Sequence, residues 1–279
     1  MKTRVLSGFA MAPLLVVIYF GGYVLAAGVF ILTFFAVREY YKAFTTATTP
    51  GPGELTETAV PEKPADTANT ANTAVKTGSG GVIRPSFTVA CVSIVLLYAI
   101  TVVINADYFI SPILLWMFVT VTLCLLMTFS EKRTLKDAFV TLSGLFYVAF
   151  FLFHLYLIAY YWHSDGIVQG FAYNFAWLVV ITAFGSDIFA YFTGVLIGRH
   201  KLAPVLSPKK TIEGSIGGIA GSTLLCGVFG WFVMNEIFVH CLIIGAIGGA
   251  LSQVGDLAAS AIKRKLGIKD YGHLIPGHG

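Results

Sequence analysis

Charged side chains are what this sequence has least of. Asp, Glu, Lys and Arg make up 11% of its 279 residues, where a soluble domain carries about 25%. Together with 57% hydrophobic residues and a mean hydropathy of +0.81, that shortage excludes a soluble globular enzyme and disorder over most of the chain. Cysteine is sparse as well. Cys91, Cys124, Cys226 and Cys241 all fall inside apolar stretches without metal-ligand spacing, so they read as small buried side chains and not as a disulfide scaffold. Strand-like alternation is missing, and no inverted pair of interrupted helices stands out, which weakens a transporter reading. One segment, Thr45 to Gly81, has no aromatic residue and is rich in Pro, Gly, Thr and Ala. It cannot bury enough apolar surface to offset its ordering entropy and is expected to be a disordered cytoplasmic linker.

What the chain does have is long apolar runs. Eight stand out: Val5 to Phe20, Tyr23 to Val37, Phe87 to Ile104, Ile110 to Phe129, Ala138 to Trp162, Phe171 to Ile197, Ser215 to Val233 and Ile237 to Ile262. Most approach the roughly 20 residues a bilayer requires, and runs this long must be helices. The first two, parted by Gly21-Gly22, read as a helical hairpin or as one long bent helix. The apolar region continues almost to Arg38, past the ~7–15-residue core of a signal peptide, so the N-terminus reads as a retained anchor.

Placing the N-terminus in the cytoplasm and threading eight spans puts all 18 Lys and Arg residues on the inside, as the positive-inside rule requires. The outside turns at Gly21-Gly22, Asn105 to Asp107, His163 to Gly166 and Asn235-Glu236 hold none. The expected fold is therefore all-α, a multi-pass protein of the cell membrane with its N-terminus cytoplasmic. Its expected parts are a transmembrane hairpin over 1–44, the linker over 45–85, middle helices over 86–185 and a C-terminal catalytic region over 186–279.

Intramembrane charge is costly and marks function by default. Two acids lie well inside a span. Asp187 precedes Arg199 by twelve residues and Asp256 precedes Lys263 by seven, so straight helices would set them about 18 and 10 Å deep from the cytoplasmic side. Ser252, Asp256, Ser260 and Lys263 share one helix face, a polar stripe suited to a wet cleft. Tyr191, Gly194 and Gly198 continue the flank of Asp187. Glycines four apart, at Gly214/Gly218, Gly217/Gly221 and Gly245/Gly249, read as close helix packing. Two basic segments follow the acids. Gly198 to Gly214 offers four cations, two hydroxyls and a helix N-terminus near Gly214, a combination that attracts phosphate. Lys263 to Gly279 adds cations, an acid and two imidazoles. Intramembrane carboxylates could hold Mg²⁺, which takes one or two carboxylates plus substrate phosphates, and the basic loops could hold polyphosphate.

At these residues the sequence resembles the phosphatidate cytidylyltransferases, also called CDP-diglyceride synthases. Gly255-Asp256, Ser260, Lys263, Arg264, Lys269, Asp270, Pro276, Gly277, His278 and Gly279 follow the family signature in order and spacing. Asp187, Ala190, Tyr191, Gly194 and Ser207 to Gly214 follow its earlier block. Two blocks over this length are far more specific than a lone short motif. The sequence ends inside the signature. A second Gly, an Asp-Arg-x-Asp, the carboxylate that would complete the metal site of Asp256 and a ninth helix are expected beyond Gly279.

The resemblance implies that CTP and phosphatidate give CDP-diacylglycerol and pyrophosphate, with Mg²⁺ as cofactor and a second metal ion left open. It implies no nucleic-acid partner and is compatible with a homodimer. Asp256 would bind the metal. Asp256, Asp187, Lys263 and Arg264 would form the catalytic group. Ser207, Lys209, Lys210, Thr211, Glu213, Ser260, Lys269, Asp270 and His278 would bind substrate. The chemical rival is a CTP-dependent kinase of polyprenol-type lipids, and a non-enzymatic transporter is the rival of another class.

Overall fold

The computed structural model describes residues 12–47, 82–103, 110–161, 169–268 and 270–272. Most of the linker expected over 45–85, the outside turns at Asn105 and His163, Lys269 and His278 lie outside the described residues. The chain is helical: α1 (Ala12–Phe20), α2 (Gly22–Ala47), α3 (Phe87–Val103), α4 (Ile110–Met127), α5 (Leu135–Gly144), α6 (Phe150–Tyr161), α7 (Gln169–Ile197), α8 (Ile212–Val233) and α9 (Phe238–Lys265). Five helical stretches are long and apolar enough to cross a membrane by length and composition, with shorter apolar helices over Phe87–Thr101 and Ile113–Met127.

The described segments α1 to α6 form one packing region, filled with large rings. Trp116 and Phe153 are fully enclosed, and Tyr98 sits between Phe30, Phe153 and Tyr156. Gly21 and Gly22 have φ of 58° and 46°, a left-handed conformation that glycine adopts without strain. They end α1, and α2 returns against it, with Gly28 set against Val17. Of the two arrangements open from the sequence, the structure has the hairpin. α2 also runs ten residues past Val37, because its polar final turns pack against protein: Tyr40 and Tyr41 are both buried.

α5 and α6 make one rod interrupted by a π-helical turn, Leu145–Ala149. The Tyr41 hydroxyl donates to the Thr141 carbonyl, 2.6 Å away, and its ring fills the space beside Gly144, an insertion of the kind that bends a helical ladder. The rod starts at a capping box. Thr134 and Asp137 bond each other's backbone N–H, and Asp137 also accepts from Arg84 N at 2.5 Å.

α7, α8 and α9 pack differently. The buried stripe of α9 is Cys241, Gly245, Gly249 and Gln253, spaced four apart, and α8 presents mostly glycines with Ser222 and Cys226. Small residues let the backbones approach, and their hydroxyls join the helices. Ser222 Oγ donates to Gly245 O (2.9 Å), and Ser186 Oγ to Gly249 O (3.3 Å).

The chain is not purely α-helical. Lys201–Ala203 (β1) and Ser207–Thr211 (β2) form an antiparallel hairpin between α7 and α8, with Lys201 opposite Thr211 and Ala203 opposite Ser207. From the sequence alone this stretch reads as a loop. α9 likewise continues beyond Ile262, through Lys263, Arg264 and Lys265, where cations complement the negative end of the helix dipole. Contacts among the described residues gather the basic segments at one end of the bundle. Tyr40 stacks on Tyr271, whose hydroxyl donates to Ala259 O. Arg133 donates to Arg84 O, and Arg264 donates to Leu206 O in the hairpin.

Candidate active site

α7, the hairpin, α8 and α9 surround a cleft of about 520 Å³. Asp187 stands ten residues before the end of α7, and Asp256 nine before the end of α9. Both carboxylates therefore lie about 14–15 Å in from their helix ends. Asp187 is within electrostatic reach of Asp256 and of Lys210. Lys210 Nζ forms an ion pair with Asp256 Oδ2. Their side chains are 27% and 46% exposed, so the pair adds only about 0–1 kcal/mol to stability. Its weight lies in the charge balance of the cleft.

The hairpin is fastened at both ends. At its root the Glu213 carboxylate accepts from Arg199 N at 3.0 Å and His200 N at 3.2 Å, and pairs with His200 Nδ1 at 2.6 Å. Thr211 Oγ1 accepts from Gly214 N at 3.1 Å and caps α8, as a threonine with extended backbone does at a helix start. Near its turn, Leu206 O accepts from Arg264 Nε at 3.3 Å. Lys201, Lys209 and Lys210 are thereby held over the two acids. The floor is polar: Ser215 and the buried Gln253 exchange two hydrogen bonds, Ser215 Oγ to Gln253 Oε1 and Gln253 Nε2 to Ser215 O (2.8 Å). Tyr191 and Val195 form a side wall on a face of α7 whose neighbours Ile188 and Phe192 are exposed and apolar.

Of the residues singled out in the sequence, the cleft brings together Asp187, Ala190, Tyr191, Gly194, Asp256, Lys209, Lys210, Thr211 and Gly214. The other described candidates for catalysis and substrate binding stand elsewhere. Ser207 lies opposite Ala203 in the hairpin, and Glu213 clamps the hairpin root. Ser260 is half-buried one turn beyond Asp256. Lys263 sits over the Tyr271 ring, 5.8 Å from its centre, and Arg264 holds Leu206. Burial pushes the Tyr271 hydroxyl pKa upward, which keeps it a neutral donor to Ala259. Asp270 lines a second cavity, about 710 Å³, with Arg38, Glu39 and Lys42. Gln253 and Ser215 were missed. Gln253 is three residues before Asp256, a spacing that shares its face, and an amide in an apolar span was the available signal.

The donor chemistry fits a hard divalent ion. Two carboxylates face one cleft, and among the described residues no group of three His, Cys, Asp or Glu could hold a metal unaided. Mg²⁺ suits such a site, because it keeps waters and shares substrate phosphates in place of a full protein cage.

The model of the cytidylyltransferase family matches residues 73–279, a stretch that includes every element of the cleft. The phosphatidate cytidylyltransferase of Staphylococcus saprophyticus is 37% identical over 151 residues, 53% of this chain and 54% of that protein. That of Synechocystis sp. is 45% identical over 108 residues, 37% of this chain and 36% of that protein. That of Bacillus subtilis is 40% identical over 111 residues, 39% and 40% of the two chains. The alignments span about half the length of these curated relatives, or less. With a family match over most of its length, the chain belongs to the cytidylyltransferase family.

Proposed function

We propose that this chain catalyses transfer of the cytidylyl group of CTP to phosphatidate, giving CDP-diacylglycerol and pyrophosphate, on the cytoplasmic side of the cell membrane. We further propose eight transmembrane spans with the N-terminus cytoplasmic, a topology supported by the gathering of basic segments at one end of the bundle. One observation carries the activity: two intramembrane carboxylates, Asp187 and Asp256, face three lysines across a single cleft whose side wall meets an apolar, exposed helix face. That arrangement suits one water-soluble polyanion and one lipid.

The nucleophile is a phosphatidate phosphate oxygen, already anionic, so no strong base is needed. It attacks the α-phosphorus of CTP, and the bond to the β-phosphate oxygen breaks. Lys201, Lys209 and Lys210 neutralise the phosphates and orient them. Asp256, with Asp187 beside it, would hold Mg²⁺, which when bound supplies charge neutralisation for the departing pyrophosphate. The clamp of Glu213 and the Thr211 cap fix the lysines before substrate arrives, and such pre-set charge is where most of the acceleration is expected to come from. Tyr191 and Val195 admit the lipid from the membrane side.

The test is incorporation of labelled cytidine nucleotide into lipid by the purified chain in mixed micelles with Mg²⁺, CTP and phosphatidate. Pyrophosphate release and loss of both signals in Asp256→Asn support the reading. Appearance of CDP with a phosphorylated lipid would move the chain to the lipid kinases, and absence of any CTP turnover would overturn the assignment.

A further inference from the structure

The cleft contains its own cation on the carboxylate that is the best metal ligand. Lys210 Nζ pairs with Asp256 Oδ2 while remaining close enough to influence Asp187. Three lysines against two carboxylates leave the lining with one surplus positive charge. A free divalent ion taking Oδ2 of Asp256 would displace the ammonium and raise that surplus further. A metal–triphosphate complex brings net negative charge and gives the displaced ammonium a new partner. Only the lysine side chain has to move. Its backbone is held by the pairing of Lys201 with Thr211 and by the Thr211 cap, and a four-carbon stem carries its charge through several ångströms by rotamer changes alone.

We propose that Lys210 is a resident counter-ion of Asp256, which keeps the cleft closed to a free divalent ion and releases the carboxylate when a nucleoside triphosphate takes over its ammonium. This rests on the cytidylyltransferase reading of the cleft and adds an order to it: metal and nucleotide enter together. By linkage, each then tightens the other by the same factor. Lys209 is the internal contrast. It lines the same cleft but is exposed, and it makes no ion pair among the described residues.

The experiment is a titration of the full chain, in detergent or nanodiscs, with Mn²⁺ alone and with Mn²⁺ plus CTP, read by the paramagnetic resonance of free Mn²⁺. The proteins compared are the wild type, Lys210→Met, Lys210→Arg, Lys209→Met and Asp256→Asn, with Lys210→Gln as a second neutral side chain should Lys210→Met fail to fold. Wild type, Lys210→Arg and Lys209→Met are expected to bind Mn²⁺ weakly alone. Lys210→Met is expected to bind it on the order of tenfold more tightly, the size of removing one charge contact in a half-exposed site, and the tightening produced by CTP should shrink. If neutral side chains at position 210 leave Mn²⁺ binding at the wild-type level while Asp256→Asn abolishes it, the counter-ion role is wrong and the metal site stands. If CTP tightens Mn²⁺ binding in none of the proteins and Asp256→Asn changes nothing, the cytidylyltransferase reading falls, and this inference with it.

Discussion

The two ends of the sequence build their interiors from opposite materials. Between α1 and α6 the space is filled by rings, with Trp116, Phe153, Tyr98 and Tyr156 wedged among one another. Between α7 and α9 glycine, serine and cysteine let the backbones meet, beside a small apolar cluster around Leu178 and Met234. Rings of this size can repack around a changed neighbour. A glycine contact against main chain, as at Gly214, Gly218 and Gly245, has no such freedom. Asp187 and Asp256, both exposed to the cleft, rise from helices joined by the second kind of interior. Asp187 and Asp256 belong to two helices that must keep register for both acids to serve one cleft, and backbone-to-backbone contact holds register more tightly than side-chain packing does.

The comparison can be tested from its strongest consequence downward. Asp256→Asn removes charge and leaves shape, and cytidylyl transfer is expected to fall by about 10²–10³, as when a preorganised electrostatic partner is deleted. Helical circular dichroism should be unchanged. Gly218→Val comes next. A Cβ there meets Ser186 O at 2.8 Å and Gln253 Nε2 at 2.9 Å. Overpacking of this kind costs about 1–3 kcal/mol, to be read from unfolding in denaturing detergent, and activity per folded molecule should fall as well because Gln253 lies in the cleft floor. Phe153→Leu in the ring-filled region is expected to cost about 1 kcal/mol and leave activity per folded molecule intact. If Phe153→Leu lowers activity as much as Gly218→Val, the contrast between the regions is broken. Gly255→Ala should have the smallest effect. A Cβ at that position meets nothing within 4 Å, so helix propensity decides, and a gain of about 0.5–1 kcal/mol is expected. That outcome separates the glycines that make contacts from one that does not.

Much of this was readable in advance. Asp187 and Asp256 are conspicuous because charge inside an apolar run has few explanations, and both line the cleft. The β-hairpin was not readable. Its strands are three and five residues long and one contains Pro208, too short for alternation to register and carrying a residue that argues against a strand. The apolar run ends at Ile262 while α9 continues to Lys265, because hydropathy marks where a chain leaves the apolar layer, whereas helix continues as long as its hydrogen bonds and terminal charges favour it. The tie of the Thr134–Asp137 capping box to Arg84 joins residues 53 apart in sequence, which no local pattern reports.

The stacked pair of Tyr40 and Tyr271 makes α2 a splint for the far end of α9. Tyr271 is bonded to Ala259, one turn before Lys263, so a change in the tilt of α2 is passed to the stretch of α9 just beyond Asp256. Helix tilt responds to bilayer thickness. A thicker or thinner membrane is therefore expected to reach the far end of α9 through a pair of tyrosines.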